Sequence, residues 1–399
     1  MSIFSLLLVN ILVFLMVIFA RKKQNFTNYE TFIFLGIWIV HLGATLYFHF
    51  YILNHGGDSS RYWSLTADQS QAATSWMQHF GFSTFFIQWL NYIPSKLLGL
   101  NYFTGNLIYS FLSFVGLGFV FLLVRDYRRK YMDSSHFSLL LFLPLFFPNL
   151  HFWTAGVSKE ALLFLGLGLY FRGIQKMENG WGYFILGFLL CLMIRPLIAF
   201  FLLLPLLYLL LLKLRAKLVW KSSFLVFLAV LFLLILNRLK LMAGMEDISF
   251  QNIQDFSHRQ FDFLDAFGAN TRVDMLELSW PERLWTVIFR PVGLDFWSFD
   301  SFIVSMENNL SFIIVVSGLI LGIRFLNKLP FELKVASLIS LGIFIIHTFV
   351  LNNLGLMARM KSIWIPFIQM SAIWLFIMAI GKQRQVQKMK AEGRRDLGL

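Results

Sequence analysis

Residues 182–212 read GYFILGFLLCLMIRPLIAFFLLLPLLYLLLL, an apolar run interrupted by a single charged residue, Arg195, with Pro196 directly after it. A helix needs about 20 apolar residues to cross a bilayer core, so this run suits two short crossings better than one. An arginine at the bilayer centre costs roughly 2.5–3.5 kcal/mol on insertion scales. Proline also biases the residue before it away from helix. The run therefore reads as spans 182–194 and 197–212, joined by a tight corner that sets Arg195 at a membrane surface.

The same rule, carried outward, gives further spans near 3–20, 31–53, 104–124, 137–149, 160–172, 222–238, 310–325, 333–351 and 362–381. Composition agrees: 58% of the 399 residues are hydrophobic and 14% are charged, against roughly 25% charged in a soluble domain. The fold class expected is an all-α integral membrane protein, a polytopic bundle of about eleven transmembrane helices. The apolar stretch 1–20 precedes the cluster Arg21, Lys22, Lys23 and reads as the first span, not as a cleaved leader.

Charge orients the bundle. With the N-terminus outside and the C-terminus inside, the inner loops hold 22 of the 34 Lys and Arg and 7 of the 21 acids, a net +15 inside and −2 outside. That asymmetry is the positive-inside pattern; only Arg238 and Lys240 sit against it. The expected domain plan is a single transmembrane domain over 1–381 and a basic cytoplasmic tail over 382–399. Two large outer loops, about 54–103 and 239–309, carry the aromatic stretches Phe82–Trp89 and Leu284–Val292. These are too short to span and read as amphipathic interfacial helices. The net +13 sits in short clusters between apolar runs, which excludes a nucleic-acid face. The short inner loops hold no Gly-rich phosphate loop. The lone Cys191 cannot form a disulfide within the chain.

Charges that topology does not explain collect outside. In His55-Gly-Gly-Asp58-Ser-Ser-Arg61 the glycines permit a sharp turn, and Asp58 and Arg61 share a face if the segment is helical. The pair reads either as a local surface ion pair or as a carboxylate base beside a phosphate-binding cation. In His151-Phe-Trp153-Thr-Ala-Gly-Val-Ser158-Lys159-Glu160, Ser158 suits an N-cap and Glu160 the first turn. Lys159 at a positive helix end is disfavoured by the dipole, so it is either a snorkelling lysine or part of an anion site. Arg290 and Arg359, each beside a span, complete a set of outer cations able to grip phosphate. Ser257-His258-Arg259 with Asp255, Asp262 and Asp265 reads as a solvated helix face. No metal site and no cofactor is expected.

Gly57-Asp58-Ser-Ser-Arg61-Tyr62, the stretch from Pro148 through Phe152-Trp153 to Ser158-Lys159-Glu160, Ile194-Arg195-Pro196, and Arg359 before Pro366 together resemble bacterial envelope-glycan membrane proteins. These are the Wzy and EpsG-type polysaccharide polymerases and, more distantly, the GT-C glycosyltransferases. The resemblance implies a multi-pass protein of the bacterial inner (cytoplasmic) membrane that acts at its outer face on polyprenyl-diphosphate-linked oligosaccharide. It implies that Arg61, Arg195, Arg290 and Arg359 bind the diphosphate with help from Lys159, while His151 and Trp153 contact substrate. Asp58, or Glu160 second, would deprotonate or orient the acceptor hydroxyl. The partners implied are membrane lipid, the lipid-linked glycan and other glycan-synthesis proteins. The paired outer acids of the GT-C metal site are absent from this sequence. A transporter of an anionic lipid-linked substrate and a non-catalytic partner of a synthase complex are the competing readings.

Overall fold

The computed structural model describes residues 2–132, 136–212, 218–245, 247, 249–266, 268 and 271–396. Among them the chain is helical, and its one β feature is an isolated bridge between Arg272 and Asn353. Helices α1 (Ile3–Lys23) and α2 (Asn28–His55) form a hairpin, followed by the short α3 (Asp58–Ser64) and α4 (Thr84–Asn91). Next come α5 (Tyr102–Tyr131), α6 (Pro148–Thr154), α7 (Lys159–Gln175), α8 (Trp181–Ile194), α9 (Pro196–Leu212) and α10 (Leu218–Ala243). The remainder comprises α11 (Phe250–Asp265), α12 (Trp280–Phe289), α13 (Phe299–Gly322), α14 (Phe331–Val350), α15 (Leu354–Lys361) and α16 (Ile365–Asp396).

Five helical stretches are long and apolar enough to cross a membrane: α1, α2, α5, Phe299–Lys328 and α14. The count becomes seven if each of two bent pairs is one span. One pair joins Phe137–Phe146 to α6 at 41°, and the other joins α15 to residues 365–381 at 60°. These seven coincide with seven of the expected spans. Four more expected spans fall on α7 to α10, of which α7, α8 and α9 have 17, 14 and 17 residues. The shortness of α7 has a physical reason. From Glu160 to Ile174 every residue is buried, so protein, not lipid, surrounds it, and its length need not match a bilayer. The last expected span begins at 362, whereas the helical pair begins at Leu354 and bends over residues 362–364, before α16 opens at Ile365 with Pro366 next.

Close helix contact fixes α7 in place. A Cβ on Gly168 would lie 2.6 Å from the Gly116 carbonyl oxygen of α5, and one on Gly116 would lie 2.7 Å from Leu165 Cα. Both neighbours are backbone and cannot yield. Gly168→Ala is therefore expected to destabilise the bundle by about 1–3 kcal/mol through overpacking, read as a lower melting temperature in detergent. Phe164 and Phe171 of α7 meet Phe367 of α16 at ring distances of 6.5 and 5.3 Å. α7 thus stands in the middle of the molecule, and its two ends define two polar regions.

Both expected interfacial stretches are helical, as α4 and α12. α12 begins with a capping box between Ser279 and Glu282, satisfying backbone N–H groups that lack helical partners. At the far end of the bundle, Glu30 binds Arg128 and Arg129 of α5, and Asp126 binds Arg125 and Arg172. Lys213 to Lys217 of the expected inner cluster lie outside the described residues.

Candidate functional site

The N-terminus of α7 carries the first polar region. Ser158 is extended and its hydroxyl accepts from Ala161 N–H at 3.1 Å, so it caps the helix as the sequence suggests. Capping fixes the direction in which the next two side chains leave. Glu160 turns inward, its side chain 1% exposed, and both carboxylate oxygens are taken. Oε1 accepts from Arg195 Nη2 at 2.8 Å and Oε2 from Arg359 Nη2 at 2.8 Å. Arg195 is the residue between α8 and α9, freed from helix by Pro196. Arg359 lies in the last turn of α15.

Asp58 approaches from the other side. Gly56 and Gly57 hold φ of +75° and +142°, backbone that side-chain-bearing residues rarely adopt. They turn the chain so that α3 starts at Asp58. Its carboxylate binds Arg61 at 2.7 Å and lies 3.8 Å from Arg359 Nη1. Asp58 remains 43% exposed and Arg61 58%, in contrast to the enclosed Glu160. Arg359 is thus shared by two carboxylates, and its guanidinium also lies over Trp153 at 5.3 Å. The Nε of Arg359 is buried and has no partner among the described residues.

Lys159 precedes Glu160 on α7 and has partners of its own. Its ammonium donates to Thr84 Oγ1 at 2.9 Å and lies over the Tyr62 ring at 5.5 Å. Burial pushes the Tyr62 hydroxyl up to about 12, so it remains a neutral phenol beneath that cation. The site therefore gathers four cations, Arg61, Lys159, Arg195 and Arg359, and two carboxylates. These groups come from α3, α7, the α8–α9 corner and α15.

Two residues expected with this cluster make their polar contacts elsewhere, although His151 also lines a groove beside it. His151 turns into the bundle, where its Nδ1 meets His41 Nδ1 at 2.9 Å and its Nε2 donates to the Leu145 carbonyl at 2.8 Å. Arg290 pairs with Asp295 at 2.7 Å, and its carbonyl accepts from Lys361 at 2.8 Å. Neither is joined to Glu160 by a hydrogen bond or ion pair in the structure. Two buried arrangements escape sequence reasoning altogether. One is the His41–His151 pair. The other is Glu307, which accepts the Asn149 backbone N–H at 2.7 Å beside Lys361. His41 and Glu307, lone ionisable residues in apolar runs, were the available signals.

An apolar groove of about 500 Å³ lies beside the cluster. Tyr47, Tyr51, Phe152, Trp153, Trp297 and Ala358 are among its walls. Trp153 belongs to both places, since one face of the groove is the ring under the Arg359 guanidinium. Tyr47 donates to Asp300 across the groove. Comparison of the chain with protein-family models, with curated proteins and with solved structures finds no match.

Proposed function

We propose that this chain is a polytopic enzyme of the bacterial cytoplasmic membrane, with about eleven spans, its N-terminus outside and its C-terminus inside. It transfers glycan from a polyprenyl-diphosphate-linked donor at the outer face, as a polysaccharide polymerase or glycosyltransferase does. The observation that carries this reading is the convergence of Arg195, Arg359 and Asp58 around Glu160, with Lys159 adjacent, next to an apolar groove. Guanidinium groups match phosphate oxygens in bidentate fashion, and an apolar cleft beside them suits a lipid-linked anion.

In this reading the two carboxylates do different work. Glu160 has both oxygens engaged by guanidiniums, so its role is to hold Arg195 and Arg359 in place. Asp58 is the accessible carboxylate and takes the proton. In the step proposed, the acceptor hydroxyl oxygen bonds to the anomeric carbon as the bond to the diphosphate oxygen breaks. The diphosphate leaves with that electron pair, stabilised by the cations, and the hydroxyl proton passes to Asp58.

The first test is deletion of the gene in its host, with lipid-linked and surface glycans compared by gel and mass spectrometry. Single lipid-linked repeat units are expected to accumulate while long chains disappear. Unchanged glycans would remove the proposal. A second reading, a transporter of an anionic lipid-linked substrate, draws support from the two bent helix pairs, since broken helices near charges are common in transporters. Labelling of a cysteine at position 159 from the cytoplasmic side would favour it.

A further inference from the structure

The other end of α7 opens on a second cavity, of about 1010 Å³. It is bounded by the C-terminal turns of α5 and α7, residues 176–179, residues 327–332 at the start of α14, and α16. With 17 residues in α7 and about 1.5 Å of rise per residue, it lies on the order of 25 Å from Lys159. It is a separate place from the Glu160 cluster, and nothing in the proposed reaction uses it.

Three lysines line this cavity: Lys130, Lys176 and Lys328, all exposed. Lys130 and Lys328 rest their ammonium groups over the rings of Tyr131 and Phe325 at 5.0 and 5.5 Å, and neither has a carboxylate in ion-pair range among the described residues. Lys176 is 3.4 Å from Asp126, but Asp126 is already bound by Arg125 and Arg172. Two acids also line the cavity. Glu332 is buried and accepts from Tyr127, while Glu178 is exposed. The wall behind the lysines is aromatic, with Trp374 edge-on to Tyr127 and Tyr131 at 6.3 and 5.9 Å. Trp374 is 1% exposed, and its indole N–H has no hydrogen-bond partner among the described residues. A buried donor without an acceptor is costly, and an oxygen-rich ligand would supply one.

We propose that this cavity binds a phosphate-bearing group, held by Lys130, Lys176 and Lys328 with an aromatic wall at its back. Lysine recognises phosphate as a point charge, and an ammonium on a flexible stem can follow a mobile headgroup. Two sources share this chemistry: the headgroup of an anionic lipid, and a free phosphate compound.

The test uses the purified full chain in phospholipid nanodiscs and has two arms. In the first, discs of phosphatidylcholine are doped with phosphatidylglycerol, and native mass spectrometry counts the anionic lipid retained by the protein. In the second, inorganic pyrophosphate is titrated calorimetrically into discs of phosphatidylcholine alone. Saturable binding is expected in at least one arm. The first arm alone assigns a lipid headgroup, and the second assigns a free phosphate compound. Lys130→Gln, Lys176→Gln and Lys328→Gln combined are expected to weaken binding at least about tenfold, near 1.4 kcal/mol. Neutralising three cations of α1 instead (Arg21→Gln, Lys22→Gln, Lys23→Gln) should leave it unchanged. Trp374→Phe, which keeps an aromatic ring in the wall and removes the N–H together with the fused ring, should weaken it several-fold. Absence of binding in both arms overturns the proposal. So does equal loss in the α1 control, or binding that survives the triple lysine variant and therefore belongs elsewhere, the Arg195–Arg359 cluster included.

Discussion

Glu160→Ala is expected to lower the stability of the folded chain by about 3–5 kcal/mol, the range for breaking a buried ion pair from one side. Two guanidiniums lose their acceptor at once. Arg195 is left with Met360 Sδ at 2.8 Å, and Arg359 with Asp58 at 3.8 Å. Removing one partner of a buried pair leaves an uncompensated charge, which is worse than never having built the pair. Arg195 is 25% exposed at its side chain, so partial hydration places the result toward the lower end. Thermal unfolding in detergent reads the effect. Glu160→Gln keeps an acceptor oxygen for one arginine and is expected to recover part of the loss. A variant as stable as the parent would show that the two ion pairs add nothing to folding.

Activity should respond in the opposite pattern. Arg195→Ala and Lys159→Ala are each expected to cut glycan chain extension at least about a hundredfold, the scale for losing one donor to a developing anion, with protein still present in the membrane. Among the described residues Lys159 makes one hydrogen bond, to Thr84, and one ring contact, with Tyr62, so its loss is expected to cost less folding energy than that of Glu160 and to act mainly through substrate. Arg195→Lys keeps the charge but not the planar fork, and it should not restore full rate. Full chain extension in both alanine variants would end the proposal for this cluster. The comparison with Glu160→Ala, where stability falls first, separates residues that hold the site from residues that meet the ligand.

The parts legible in the sequence are those set by local chemistry. Pro196 after Arg195, Ser158 before Lys159 and Glu160, and the three-residue spacing of Asp58 and Arg61 each act within one turn of chain. Each is visible in the structure as a corner, a cap and an ion pair. The long-range partners were beyond reach. Glu160 and Arg359 stand 199 positions apart, and no pattern in one sequence says that this arginine and not Arg290 meets that carboxylate. Arg290 is drawn to Asp295, five residues on. His151 shows a related limit: it lines the same groove as Trp153, yet its ring nitrogens engage His41 and the Leu145 carbonyl, partners that no local pattern names. Apolar length located helices well but could not say which are wrapped by protein, and α7, buried all round, is where length and bilayer thickness part company.

The enclosed position of α7 bears on the order in which the molecule is made. A ribosome releases Glu160 and Arg195 long before Arg359, and α7 is sealed on one side by Phe367, which follows later still. Until then Glu160 holds one arginine and α7 shows an open flank. On the function proposed above, a growing chain would carry a half-built cluster, and the arrival of α15 and α16 would both close the packing and complete the charge balance. The last helices to be made thus finish the packing around α7 and the pairing of Glu160 together.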